Sequence, residues 1–203
     1  MLVTGIKSKP IYAPLTADTI GRYHLMLGHG VGGGPLNRVL DEIAASAPQS
    51  LSRTRVLYVA GLAAADGYGT RFSATVSDVR LFERVPELLA DFRSILAASL
   101  MGTRLYVAGP ESFIGVALKI ALEFNLNKDE IRAEDCGTLA RRVYCIHCRA
   151  TTEDVRTNVA VCVDCGRHLI VRDHYSRRFA AYMGVMADAE VPGELPQVRE
   201  VFV

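Results

Sequence analysis

The sequence predicts an α/β fold, a parallel-sheet unit followed by a small metal-binding ribbon. Three observations carry this. Short apolar runs alternate with helical periods through the first two thirds of the 203 residues. Two of those runs end in glycine. All five cysteines lie after residue 135, and four of them form two C-x-x-C pairs.

The elements are justified in chain order. Residues 1–19 hold Pro10 and Pro14 and no clear period, so they read as an N-terminal arm or an edge strand. His24-Leu25-Met26-Leu27 is an apolar strand ending at Gly28-His29-Gly30-Val31-Gly32-Gly33-Gly34. Pro35 then opens a helix whose apolar positions are Leu36, Val39, Leu40 and Ile43. Val56 to Ala60 is a second strand, rich in β-formers. Thr70 to Val79 reads as a third, with Phe72-Ser73-Ala74-Thr75-Val76 at its centre. Val85 to Leu100 is a long helix, and Thr103 to Ala108 is a strand ending at Gly109-Pro110. Ser112 to Asn125 is helical, and Ile131 opens a last short strand. Alternating strands and helices give a Rossmann-like parallel sheet covered on both faces, which binds ligands beyond the carboxyl ends of its strands. The expected boundaries are an arm over 1–19, the α/β domain over 20–136 and the ribbon with its tail over 137–203.

Composition excludes several classes. Half the residues are hydrophobic and 22% are charged, which disfavours disorder. A formal charge of +1 gives no electrostatic case for nucleic acid as partner. No apolar run approaches the roughly 20 residues that span a bilayer. The N-terminus lacks the apolar core of a signal peptide, so the expected location is cytoplasmic and the thiols meet a reducing medium.

Cys145-Ile-His-Cys148 and Cys162-Val-Asp-Cys165, thirteen residues apart, are the strongest signal in the chain. Two knuckles of two thiolates each complete a tetrahedron around one ion. Zinc is the first choice. A single iron or an iron–sulfur centre is the alternative, because the spacing does not separate them. His147 and His168 read as lying outside the ligand set, and Cys136 as a spare thiol. The glycine loops are the candidate cofactor site, with Gly30, Gly32, Gly33 and Gly34 in the first and Gly109 and Pro110 in the second. Backbone N–H groups there can approach a phosphate, although such loops more often serve only as tight turns. Arg172-Asp173-His174-Tyr175-Ser176-Arg177-Arg178-Phe179 is basic and aromatic, and reads as a solvated turn or a partner surface.

The first loop is similar to the G-G-x-G-x-T-P turn of ferredoxin-reductase-type flavoenzymes of the phthalate-dioxygenase-reductase branch. Gly102-Thr-Arg-Leu-Tyr-Val-Ala-Gly-Pro-Glu-Ser-Phe113 resembles their G-T-x-L-Y-V-C-G-P-E-x-F. The resemblance covers about residues 22–135 and implies a possible NADPH or FMN contact at the glycine loops. Ala108 replaces that family's cysteine and Gly34 its threonine. Only some twenty residues precede the first strand, so no flavin barrel is expected ahead of it. Tyr144 to Cys148, Cys162 to Leu169, Arg172 to Arg178 and Ala181 to Val185 resemble the C-terminal domain of the DmmA-like subunit of bacterial dimethylamine monooxygenase. That resemblance extends over nearly the whole chain. It implies an accessory subunit of a haem-dependent, NADPH- and O2-dependent demethylating system, not catalytic alone. The implied partners are a haem-bearing subunit and a flavin/iron–sulfur reductase. An electron-transfer role for an iron at the four cysteines stays open.

Overall fold

A computed structural model describes residues 8–61 and 66–203. It divides into two compact units. Tyr12–Gly137 form one, and residues 8–11 with Thr138–Val203 form the other.

The first unit is a five-stranded, all-parallel sheet of β1 (Tyr23–His29), β2 (Thr54–Val59), β3 (Asp78–Phe82), β4 (Thr103–Gly109) and β5 (Ile131–Asp135). The spatial order is β3-β2-β1-β4-β5. Strand alternation divides the core into two layers. Leu25, Leu27, Leu57, Val59, Leu105 and Val107 meet α3 (Val85–Ala97) and α4 (Glu111–Glu123) on one face. Met26, Val56, Tyr58, Tyr106 and Ala108 meet α1 (Gly33–Ser46) and α2 (Tyr68–Thr75) on the other. The chain winds outward one way through β2 and β3, then the other way through β4 and β5. The reversal falls between β1 and β4, where such sheets form their ligand crevice.

One expected element is wrong. Thr70 to Val79 is not a strand: Tyr68–Thr75 is the helix α2, and the strand begins at Asp78. Phe72 and Val76 are buried while Ala74 between them is exposed, so the period is four and not two.

Residues 12–21 form no regular element but are pinned to the sheet. The Asp18 carboxylate accepts hydrogen bonds from Arg104 Nε and Arg132 Nη2, both at 2.9 Å. It also accepts the N–H groups of Ile20 and Gly21. The Asp18 N–H donates to the hydroxyl of buried Tyr106. Burial alone would raise the Asp18 carboxyl, but those four donors outweigh it and hold it at about 2, below its ordinary 3.8.

The second unit is a mixed sheet of order β7-β6-β10-β9-β8. Its strands are β6 (Arg141–Cys145), β7 (Thr151–Val155), β8 (Val159–Val161), β9 (His168–Ser176) and β10 (Ala181–Met186). The segment read as a turn from Arg172 is therefore mostly strand. Only residues 177–180 turn, and β10 is the central strand, parallel to β6 and antiparallel to β9. Its core includes Val143, Leu169, Tyr175 and Tyr182. The Arg141 guanidinium lies between the rings of Tyr182 and Phe202, 3.9 and 3.8 Å from their centroids, and Nη2 donates to Asp173.

Asp18→Ala is expected to cost about 2–4 kcal/mol, because it leaves two guanidinium groups and two N–H groups without their acceptor. Because the folded carboxyl titrates below 3.8, its stabilisation is full above that pH and is lost as pH falls towards 2. Urea unfolding of both proteins at neutral pH and in acid measures this; the gap between them should close in acid.

Candidate metal centre and the paired glycine loops

The candidate metal centre is built from two matching knuckles. The first turns out of β6 at Cys145, and the second lies between β8 and β9. Each knuckle closes with the same backbone pattern. The Arg149 N–H donates to the Cys145 carbonyl, and the Gly166 N–H to the Cys162 carbonyl. The residue after each second cysteine is left-handed, with φ of 70° at Arg149 and 69° at Gly166. Glycine adopts this readily, whereas Arg149 carries a cost of roughly 1–2 kcal/mol. The Ala150 N–H donates to the Cys148 thiol, and the Arg167 N–H to the Cys165 thiol.

The four sulphurs lie within 4.8 Å of one another. Cys148 and Cys162 are 3.5 Å apart, and Cys145 and Cys165 are 3.9 Å apart. A tetrahedral ion with bonds of about 2.3 Å spaces its ligands by about 3.8 Å, so the cage fits one ion. An iron–sulfur cluster would hold its thiolates farther apart than a single ion does. Cys145 and Cys162 are buried; Cys148 and Cys165 are half-buried.

Electrostatics point the same way. Hydrogen bonding, first from the Arg167 N–H and then from neighbouring thiols, lowers Cys165 to about 6. The Ala150 N–H also lowers Cys148, yet burial and the other three cysteines push it up to about 12. A divalent cation offsets the mutual repulsion of neighbouring thiolates and lets the thiols that coordinate it ionise. Four mutually close thiols with matched N–H donors therefore could hold a metal ion.

The two nearby histidines are not in this group. His147 Nδ1 accepts a hydrogen bond from Arg167 Nη1 across the knuckles, and the His168 side chain is exposed on β9. Cys136 follows β5 in the first unit, where burial and then Glu134 and Asp135 push its thiol up to about 11. A thiol held protonated in this way is a poor nucleophile.

The glycine loops come together at the reversal point. Gly30 and Gly32 lie in a short 3-10 turn after β1, and Gly33 and Gly34 open α1. Gly109 ends β4, and Pro110 caps α4. Register pairs Gly28 with Ala108, so the tips of β1 and β4 are neighbours. Much of the glycine requirement is met by packing. A Cβ at Gly32 would stand 2.2 Å from the Ala108 carbonyl oxygen, and one at Gly33 would stand 2.4 Å from the Tyr68 ring. His29 sits beside Gly109 and packs on Phe113, with Nδ1 buried and burial lowering its pKa. No local pattern singles out His29 or Tyr68; their roles come from neighbours far along the chain.

Cys162→Ser is expected to lower metal content below one ion per chain and to melt the second unit at lower temperature. Chelation of the wild-type chain should do the same. Elemental analysis with circular dichroism reads both. Gly32→Ala should destabilise the first unit while leaving metal content unchanged.

Similarity to known proteins agrees with both units. The model for "Dimethylamine monooxygenase subunit DmmA-like, N-terminal domain" matches residues 4–131, and the corresponding C-terminal domain model matches residues 142–185. A curated relative, the heme-dependent oxidative N-demethylase delta subunit of Ectopseudomonas mendocina (strain ymp), is 34% identical over 108 residues. That match covers 51% of this chain and 62% of the relative. Among solved structures, a ferredoxin reductase in carbazole 1,9a-dioxygenase is similar with a TM-score of 0.43 and 16% identity, over 61% of this chain and 34% of that one. An intact type IV self-sufficient cytochrome P450 monooxygenase gives 0.46 and 15%, over 82% and 21%. The two family models, matched in order along the sequence, place this chain in the DmmA-like family of dimethylamine monooxygenase subunits.

Proposed function

We propose that this chain is an accessory subunit of a haem-dependent oxidative N-demethylase acting on dimethylamine, and that the chemistry resides on its partners. The match to both family domain models carries this reading, and the name of the curated relative supports it. The partners are a haem-bearing subunit and a flavin/iron–sulfur reductase. The role of this chain is to dock one or both of them.

In this reading Cys145, Cys148, Cys162 and Cys165 hold one zinc ion. When bound, the ion supplies a cross-link between β6 and the β8–β9 turn, and no redox step. The compact spacing of the sulphurs supports a single ion. The electron-transfer alternative places one iron in the same cage. What favours it is the half-buried state of Cys148 and Cys165, which leaves the cage within reach of a partner.

A further reading places NADPH or FMN at Gly30, Gly32, Gly33, Gly34, Gly109 and Pro110. Their position at the carboxyl ends of β1 and β4 supports it. The packing of Ala108 on Gly32 and of Tyr68 on Gly33 leaves less backbone open to a phosphate than the sequence alone suggests.

Reconstitution tests the proposal. The chain alone should show no dimethylamine-dependent NADPH oxidation, and omitting it from the full set of subunits should lower turnover at least roughly tenfold, about 1.4 kcal/mol in apparent barrier. Amine-dependent oxidation by this chain alone would overturn the accessory role. Purified protein should be colourless with one zinc per chain; stoichiometric iron would select the electron-transfer reading. Calorimetric titration with NADPH and with FMN decides the loop reading.

A further inference from the structure

The glycine loops occupy the carboxyl end of the parallel sheet. The opposite end has a surface of its own. The amino ends of β1, β2 and β4 and the end of α3 enclose an open cavity of about 410 Å³, lined by Tyr23, Ser52, Arg53, Arg55, Leu100 and Thr103 among others. Beside it, the turn before β4 is held against β1: the Gly102 carbonyl accepts the N–H groups of Arg22 and Tyr23 at 2.9 and 3.4 Å. The Arg22 stem lies along Gly102.

Three features set this end apart. Leu100 and Met101 project from the turn 62% and 94% exposed, and Ile20 is 82% exposed. Nothing in the first unit needs large apolar side chains there, and adjacent exposed apolar groups mark interaction sites. Second, the charges at this end do not cancel. Asp78 is paired with Arg55, and Asp18 with Arg104 and Arg132. Arg22 and Arg53 have no ion-pair partner among the described residues. Third, the hydroxyls in the cavity are already committed. Thr54, Ser99 and Thr103 donate to the carbonyls of Ser50, Ile95 and Leu100. The cavity floor therefore offers few free donors to a polar small molecule. Recognition falls to the rim, which is cationic and apolar.

We propose that this amino-end surface is the docking face for a partner subunit that presents acidic side chains around an exposed apolar one. The apolar group enters the cavity beside Leu100 and Met101, and the carboxylates meet Arg22 and Arg53. Such a rim steers association and sets specificity, while the buried apolar contact supplies most of the affinity. This inference rests on the subunit reading above and names the face it uses.

The test is binding of the purified full-length chain to the purified haem-bearing and reductase subunits. Arg22→Glu with Arg53→Glu, and separately Met101→Asp, should weaken binding to one partner by roughly tenfold or more, comparable to interface hot spots. Metal content and circular dichroism should not change, since these side chains are exposed. Wild-type affinity should fall as salt rises. Arg178→Glu, on the turn of the second unit, serves as the control and should bind as the wild type does. If the wild type binds and all variants bind equally well, the docking face is overturned. Saturation of the cavity by a small anion without effect on subunit binding overturns it too, as does self-association of the wild type that Met101→Asp abolishes. A wild-type chain that binds neither subunit removes the subunit reading itself, and this proposal with it.

Discussion

A single backbone-to-backbone approach organises the first unit. The turn after β1 runs against the end of β4 so closely that a methyl group at Gly32 would overlap the Ala108 carbonyl. This lets α1 start at the sheet itself. It also brings the two glycine loops together at the point where the winding reverses. With α1 placed, Leu36, Val39, Leu40 and Ile43 meet Met26, Val56 and Tyr106, and α2 follows onto the same face. Parallel strands need such covered faces, because they have no solvated side to tolerate.

The second unit answers to a different constraint. Its sheet is small, and two of its core positions are cysteines: Cys145 and Cys162 lie among Val143, Leu169 and Tyr182. A segment of this size buries little apolar surface by itself, so the proximity of the four thiols is part of its stability argument as well as its chemistry. The matched knuckles show how proximity is achieved. Each uses one carbonyl, one left-handed residue and one N–H directed at sulphur.

What could be read in the sequence depended on how local its cause was. The strand around Leu25-Met26-Leu27 was visible because burial on both faces makes a continuous apolar run. The four cysteines were visible because knuckle spacing is local. The helix α2 was missed because Phe72, Ala74 and Val76 imitate alternation, while the Tyr68–Phe72–Val76 spacing is equally present and correct. The edge strand β3 was missed because it buries little: Val79 and Phe82 are only half-buried, one against each core layer, and Arg80 and Leu81 between them are exposed. The central position of β10 depends on pairing with β6, some forty residues earlier, and no local pattern shows that. The Asp18 network was invisible for the same reason, since its arginines lie 86 and 114 positions away.

The cage also has two sides. Cys145 and Cys162 face the sheet's core, and Cys148 and Cys165 stand half-buried. Any reagent that reaches the sulphurs, whether oxidant, chelator or competing thiol, therefore arrives first at the same pair. One of that pair is followed by a relaxed glycine and the other by a strained arginine. The two knuckles therefore differ in cost: opening the one at Cys148 releases the left-handed strain of Arg149, roughly 1–2 kcal/mol, and opening the one at Cys165 releases none at Gly166.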